Sequence, residues 1–170
     1  MGILSAVTFL PTIGALLLLS LPKERVSAIR GVAVATMAGT FLLSLKLLFD
    51  FDPGSVGMET LNIQWKEQLS WIPTFNVFYF MGLDGLSLPL VLLTTLLSLV
   101  SGIYALNISE RVKEFFFWFL VLETGMLGVF CALDLFLFYM FWEITLVPMY
   151  FLIGIWGGKR KEYAAIKFFL

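Results

Sequence analysis

The amino-acid sequence predicts an all-α, polytopic transmembrane helix bundle, and three observations support this prediction. Hydrophobic residues make up 60% of the 170-residue chain and charged residues only 14%, far from the composition of soluble domains. Apolar runs of about 20 residues, the length that crosses a bilayer as a helix, recur along the chain. Lysine and arginine are concentrated in alternate connections between these runs, as expected of cytoplasmic loops.

Five apolar runs are long enough to be complete spans, because a helix lets a single segment satisfy its own backbone groups inside the bilayer. They cover about residues 2–21, 31–50, 86–107, 115–133 and 135–156. A sixth apolar run begins at Tyr163 and continues to Leu170. The sequence therefore predicts one membrane domain over residues 1–170, with five full spans and the start of a sixth. We expect it to be the N-terminal part of a longer subunit.

The distribution of positive charge predicts the orientation of these spans. The connections after the first, third and fifth spans hold eight of the 11 Lys and Arg residues, whereas the intervening connections hold only Lys66. Cytoplasmic loops are enriched in positive residues, so we expect the odd connections inside and the N-terminus outside. The eight residues are Lys23, Arg25, Arg30, Arg111, Lys113, Lys159, Arg160 and Lys161.

The segment between the second and third spans, residues 51–85, is then external. Helix-breaking residues argue against a helix there, and its many aromatic residues suit an interfacial belt or a cap on the bundle. Asp84 stands just before the third span and is predicted to cap it. The helix breakers are Pro53, Gly54, Gly57 and Pro73.

Composition also limits the chemistry of the chain. It has no histidine and one cysteine, Cys131, which excludes a disulfide within the chain, a cysteine-ligated zinc or iron–sulfur site and a histidine-ligated haem. A net charge of −1 without a basic patch argues against nucleic acid as a partner. We expect no catalytic residue, no metal site and no cofactor in this chain, and a lipid bilayer around it.

Two carboxyl groups are predicted deep within the membrane, where an ionisable side chain costs about 2.5–3.5 kcal/mol on insertion scales. Glu123 lies in the fourth span and Glu143 in the fifth, and both lie about 14–16 Å from the turn near Asp134 at 1.5 Å per residue. The glycines that follow Glu123 suggest close helix packing as an alternative role for it. Beside Glu143, Pro148 leaves a backbone carbonyl without its donor, which suggests a wet cavity.

Three stretches carry a family resemblance. They are MGLDGLSLPLVLLTTL (Met81–Leu96), LETGMLGVFCALD (Leu122–Asp134) and DLFLFYMFWEITLVPMYFLIGIWGG (Asp134–Gly158), the last followed by KRKEYAAIKFF. Together they resemble the antiporter-like membrane subunits, of the chain M type, of respiratory complex I, the proton-pumping NADH:quinone oxidoreductase. The resemblance extends from about Phe80 to Leu170 and corresponds to about the first third of such a subunit.

The resemblance implies a function and two site residues. The glutamate of the FWE motif, Glu143, matches the family's proton-path residue, whose partner is a lysine on a later helix; Glu123 matches a glutamate found in many chain M sequences. The chain would be a proton-translocating subunit of an enzyme that couples quinone reduction to pumping, without a redox site of its own. Its partners would be other membrane-arm subunits, and its location the bacterial inner membrane.

Two alternatives remain open from the sequence. A D-type subunit of a multi-component sodium/proton antiporter shares the FWE region and the fold. A membrane scaffold subunit that transports nothing would use its buried acids only to join helices.

Overall fold

The computed structural model describes residues 2–52 and 63–169, and this part of the chain contains six α-helices and one β-hairpin. The predicted helix breakers Pro53, Gly54 and Gly57 lie outside the described residues. The helices are α1 (Ile3–Ser20), α2 (Val26–Phe49), α3 (Ser87–Tyr104), α4 (Val112–Cys131), α5 (Leu135–Trp156) and α6 (Lys161–Phe169). The strands are β1 (Gln64–Ile72) and β2 (Val77–Leu83).

Helices α1 to α5 are long and apolar enough to cross a membrane, which confirms the predicted bundle of five full spans. Helix α2 begins at Val26, five residues before the predicted start, although this extension contains Arg30. The charge does not stop the helix because the Arg30 guanidinium reaches out to the carbonyl of Ile108, 2.8 Å away. The predicted sixth run is helix α6.

The β-hairpin was not predicted, so the all-α description is incomplete for the external segment. Strands β1 and β2 are antiparallel, with Gln64 opposite Leu83 and Ile72 opposite Val77. The chain reverses through a short 3-10 turn and Asn76, which adopts the left-handed conformation at φ 54°. The pattern was hard to recognise because β1 is partly or fully exposed at every position, so it has no alternation of buried and exposed residues.

The hairpin caps one end of the bundle, as the aromatic content of this segment suggested. The amide of Leu133, in the turn between α4 and α5, donates to the carbonyl of Phe80 at 2.9 Å. A bridge between Met81 and Ala132 continues the same contact. The hairpin, the start of α1 and the α4–α5 turn therefore lie at one end of the molecule.

The positively charged connections meet at the opposite end, as the orientation rule requires. The Lys113 ammonium donates to the carbonyls of Leu19 and Leu21, at 2.9 and 2.7 Å, and so joins the α3–α4 connection to the end of α1. The Trp156 indole donates to the carbonyl of Glu110 at 2.9 Å. The first, third and fifth connections thus share one end; that this end is cytoplasmic remains a prediction.

Helices α4 and α5 pack closely through two glycines, as the sequence around Glu123 suggested. A methyl group added at Gly128 would lie 2.2 Å from the Phe141 ring, and one at Gly125 would lie 2.7 Å from the Thr145 methyl group. Neither distance is possible without movement, so these two positions fix how closely the helices approach and how they are rotated.

Aspartate side chains accept hydrogen bonds from backbone amides at the start of two helices. Asp84 accepts hydrogen bonds from the amides of Leu86 and Ser87, at 3.0 and 2.7 Å, which confirms its predicted capping role. The bond from Ser87 is the main reason that the pKa of Asp84 lies below its ordinary value. Asp134 accepts bonds from the first amides of α5 in the same way.

Candidate functional site

Glu123 lies in the interior of the helix bundle. Its side chain is fully buried, and neither carboxyl oxygen has a hydrogen-bond partner among the described residues. It stands eight residues before Cys131, the last residue of α4, and therefore about 12 Å below that end of the helix. Buried polar groups almost always have partners, so this carboxyl requires an explanation.

Glu143 lies at a matching depth on the outside of the bundle. It stands eight residues after Leu135, the first residue of α5, and is exposed in the described structure. The Tyr139 hydroxyl, one helical turn earlier, lies beside its carboxylate. Five further side chains at helical spacing from Glu143 on α5 are exposed too, at 37–57%: Phe136, Tyr139, Met140, Val147 and Tyr150.

The structure does not bring the two carboxyl groups together. On α5, Phe141 and Thr145 contact α4, and Glu143 lies between them in sequence, about 200° around the helix from either one. On α4, Gly125 contacts α5, and Glu123 is likewise about 200° away from it. The carboxyl groups therefore point away from their shared interface, one into the bundle and one out of it.

The wet cavity predicted beside Glu143 stays a prediction, because the groove that the structure shows next to α5 is a different one. Pro148 is buried within a continuous α5, where it cannot donate to the carbonyl of Ile144. An open groove of about 380 Å³ lies between α5 and the hairpin, lined by Ile144, Met140 and Trp71 among others. Its lining is almost entirely apolar, and the exposed Glu143 carboxylate is not part of it.

Hydroxyl groups between helices are a feature that sequence reasoning missed. Thr12 of α1 and Thr124 of α4 bond each other at 2.8 Å, and Ser44 of α2 and Thr95 of α3 do the same. The buried Ser98 hydroxyl has no partner in the described structure. The spacing of serine and threonine along each helix was the available signal, but it does not reveal which helices are neighbours.

Glu67 was also missed, although it makes more contacts than either predicted acid. Its carboxylate accepts bonds from the amides of Gly2, Leu4 and Ser5, at 3.0, 2.8 and 3.2 Å, and from the Ser5 hydroxyl. Burial acts to raise the pKa of Glu67, but these hydrogen bonds outweigh it, so the pKa lies below its ordinary value. Glu67 thus joins the hairpin to the first turn of α1.

The Tyr79 hydroxyl completes this cluster, which we call the Glu67 cluster (Ser5, Glu67 and Tyr79). It lies 2.6 Å from the Ser5 hydroxyl. Burial and the nearby Glu67 charge raise the pKa of Tyr79 despite this bond. Across the described residues, no group of three or more metal-binding side chains is found.

Comparison with known proteins gives a consistent set of relatives. Residues 132–170 match the family model described as "NADH:quinone oxidoreductase/Mrp antiporter, TM". The chain is 45% identical over 173 residues to NADH-quinone oxidoreductase subunit M of Rhodobacter capsulatus, an alignment that covers 99% of this chain and 32% of the relative. It is 39% identical to NADH-ubiquinone oxidoreductase chain 4 of Marchantia polymorpha, covering 98% of this chain and 33% of the relative.

A solved structure has the same fold. One chain of respiratory complex I from Thermus thermophilus superposes with a TM-score of 0.76 at 32% identity, covering 95% of this chain and 31% of that chain. The present chain therefore spans about a third of the length of the relatives it matches.

Proposed function

Because the chain is similar along nearly its whole length to the N-terminal third of NADH-quinone oxidoreductase subunit M, also called chain 4, we propose that it performs part of that subunit's work. In this proposal it belongs to a membrane-arm subunit that translocates protons while the assembled enzyme passes electrons from NADH to quinone. It is an integral membrane protein, and its similarity to a bacterial subunit M supports a location in the bacterial inner membrane.

The position of Glu143 carries this proposal. An exposed carboxyl about 12 Å from the end of a spanning helix would meet hydrocarbon if lipid covered that face of α5. A charge at the bilayer centre costs about 2.5–3.5 kcal/mol on insertion scales, so such a group is expected to face protein or water. The resemblance supplies a suitable partner, because in the family this glutamate pairs with a lysine on a later helix.

Glu143 would act by taking up and releasing a proton. The lysine that pairs with this glutamate in the family would stabilise the ionised carboxylate, and movement of that positive charge away from it would favour uptake of a proton. The Tyr139 hydroxyl beside the carboxylate can donate to the ionised form and help to hold its position. Moving one charge against the membrane potential takes about 2.3 kcal/mol per 100 mV, and this energy would come from the redox part of the enzyme.

Glu123 is the second proton-carrying residue in this proposal. It matches the depth of Glu143 but lies on the far side of the α4–α5 interface, so a proton cannot pass directly between the two. Further groups would have to connect them. The proposal also includes the expectation that this chain itself holds no flavin, iron–sulfur cluster or other redox cofactor, and that other membrane-arm subunits are its partners.

A sodium/proton antiporter subunit is the second candidate, because the matching family model covers antiporters as well as the oxidoreductase. The two functions differ in their energy source. A subunit of the oxidoreductase pumps protons only while NADH is oxidised, whereas an antiporter exchanges protons for an imposed sodium gradient without NADH.

Inverted membrane vesicles from a strain that lacks the gene, and from the same strain complemented with it, separate these candidates. We expect complementation to restore NADH-driven acidification of the vesicle interior, and to leave sodium-driven proton exchange unchanged. Restoration of sodium-driven exchange alone would favour the antiporter. A scaffold role would be indicated if a complementing Glu143→Gln gene restored both assembly and full pumping.

A further inference from the structure

The interface between α1 and α4 carries a line of polar side chains, which we call the α1–α4 seam. Ser5, Thr8 and Thr12 follow one another at spacings of three and four residues and so lie on one face of α1. Two groups of α4 meet this face: Thr124 bonds Thr12, and the Cys131 thiol lies beside Thr8. The seam therefore runs from the hairpin end of the bundle to the depth of Glu123.

The outer end of the seam reaches water through the Glu67 cluster. The Ser5 hydroxyl bonds both the Glu67 carboxylate and the Tyr79 hydroxyl. Ser5 is buried, whereas Glu67 and Tyr79 are only partly buried. A carboxylate that is open to solvent on one side and bonded to a buried hydroxyl on the other can exchange protons with both.

The inner end of the seam is Thr124, which is next to Glu123 on α4. Glu123 directly precedes Thr124, and both are buried in the same turn of α4. The Thr124 hydroxyl is satisfied by Thr12 and by the carbonyl of Leu120, but both oxygens of Glu123 lack partners among the described residues. Ordered water commonly satisfies such groups.

The middle of the seam is the Thr8 hydroxyl. Thr8 is fully buried, and its hydroxyl does not reach hydrogen-bond geometry with any described group, including the Cys131 sulfur. At 1.5 Å per residue, Ser5 to Thr8 is a rise of about 4.5 Å and Thr8 to Thr12 about 6 Å. One water bridges such a step, because two hydrogen bonds of about 2.8 Å span about 5.6 Å.

We propose that the α1–α4 seam binds a file of water molecules that connects Glu123 with the outer surface at the Glu67 cluster, and that this file conducts protons. The inference rests on the proposed role of Glu123 as a proton-carrying residue. A helix contact made only for packing would satisfy its hydroxyls within the protein, as Thr12 and Thr124 do. Thr8 and Glu123, which have no hydrogen-bond partner among the described residues, favour water instead.

Proton transfer along this file needs no other reactant. The protonated Glu123 carboxyl gives its proton to the first water, and each water or hydroxyl then passes one proton outward as it receives one from behind. The last proton reaches the Glu67 carboxylate or the water outside it. The O–H bond broken at each donor is matched by one formed at the next acceptor, and Glu123 is left ionised until a proton reaches it from elsewhere.

The test removes single hydroxyls from the seam in the fully assembled complex. Thr8→Val deletes the hydroxyl at nearly constant shape, and Thr8→Ser keeps it. Thr94→Val is the matched control, because Thr94 is a partly exposed residue of a spanning helix whose hydroxyl donates to its own helix backbone, at the carbonyl of Leu90. The number of protons pumped per NADH oxidised is measured for each variant, and for Glu123→Gln, in vesicles with equal complex content.

We expect Thr8→Val to lower the ratio by the same factor as Glu123→Gln, Thr8→Ser to restore it, and the double variant to be no worse than either single one. If Thr8→Val pumps normally while Glu123→Gln pumps poorly, the proposed proton path along the α1–α4 seam is refuted, but the role of Glu123 is not. Normal pumping by Glu123→Gln would overturn both, whereas the proposal for Glu143 would be untouched.

A second measurement covers variants that fail to assemble. In a high-resolution structure of the wild-type complex, we expect ordered water between Thr8 and Thr12 and at the Glu123 carboxyl. A dry seam, with protein atoms bonded to both carboxyl oxygens of Glu123, would contradict the proposal.

Discussion

Removal of the Glu67 carboxylate should release the hairpin from the start of α1. In Glu67→Ala, the amides of Leu4 and Ser5 and the Ser5 hydroxyl lose an acceptor that holds them in a partly buried site. The bond from the exposed Gly2 amide matters less, because water can replace it. Glu67→Gln keeps one oxygen acceptor but loses the charge.

The expected size of the effect follows from these contacts. A hydrogen bond to a charged group contributes about 1.5–3 kcal/mol, and loss of a helix cap costs about 0.5–2 kcal/mol. The bonds share one carboxylate and are partly solvated, so their contributions do not add fully. We expect Glu67→Ala to lower the local opening free energy by about 2–3 kcal/mol, and Glu67→Gln by about 1 kcal/mol.

Hydrogen–deuterium exchange of the purified complex measures this opening directly. A loss of 2–3 kcal/mol accelerates exchange by roughly 30- to 150-fold, since about 1.4 kcal/mol is a factor of ten. The acceleration should be confined to the first turn of α1 and to the hairpin. Gln68→Ala is the control, because Gln68 is the next residue of β1 and is exposed. Unchanged exchange in Glu67→Ala would refute the structural role of this carboxylate.

The same contact predicts a dependence on pH. The pKa of Glu67 is lower in the folded protein than its ordinary value of 4.5, so its stabilisation is fully present above that value. It is lost as the pH falls through the lowered folded value. The difference in exchange between wild type and Glu67→Gln should therefore be constant from pH 7 to about 5 and shrink in more acidic solution.

Three further predictions follow from the fold. Gly128→Leu should clash with Phe141 and destabilise the α4–α5 pair by about 1–3 kcal/mol. We expect a lower melting temperature of the complex, and an unchanged melting temperature would contradict the close packing. Reporter fusions at Thr74 and Arg160 should read external and cytoplasmic respectively, and the reverse result would overturn the orientation. Asp84→Ala should destabilise the start of α3 by about 1 kcal/mol, seen as faster amide exchange there, and unaltered exchange would refute the cap.

The spans could be predicted because membrane helices are governed by local properties. Length, hydropathy and the positions of positive charge gave the five spans and their alternating ends, and helix α5 was bounded as predicted at residues 135–156. The starts of the helices were harder to predict. Arg30 lies inside α2, because its guanidinium donates to a carbonyl in the connection between α3 and α4. That partner, Ile108, is distant in sequence and could not have been anticipated.

The hairpin and the Glu67 cluster could not be predicted because they depend on tertiary contacts. Strand β1 pairs with β2 over an exposed surface without a burial pattern, and Glu67 contacts Ser5 across 62 residues of sequence. For Glu123 and Glu143, the depth in the membrane followed from counting residues along the helices, but the direction in which each side chain points did not. The rotation of α4 against α5 depends on Gly125 and Gly128, whose contacts only the structure reveals.

Proton translocation through Glu143 requires that its side chain can gain and lose a proton. Proton pumping by a Glu143→Gln complex tests this requirement most directly. Glutamine keeps the size of the side chain but cannot titrate, so assembly should be nearly intact. Glu24→Gln, at an exposed carboxylate in the α1–α2 connection, is the control. At equal complex content we expect NADH-driven pumping to fall at least about tenfold, a barrier increase of ~1.4 kcal/mol, with Glu143→Asp partly active. Pumping and quinone reduction at the wild-type rate would show that Glu143 is structural.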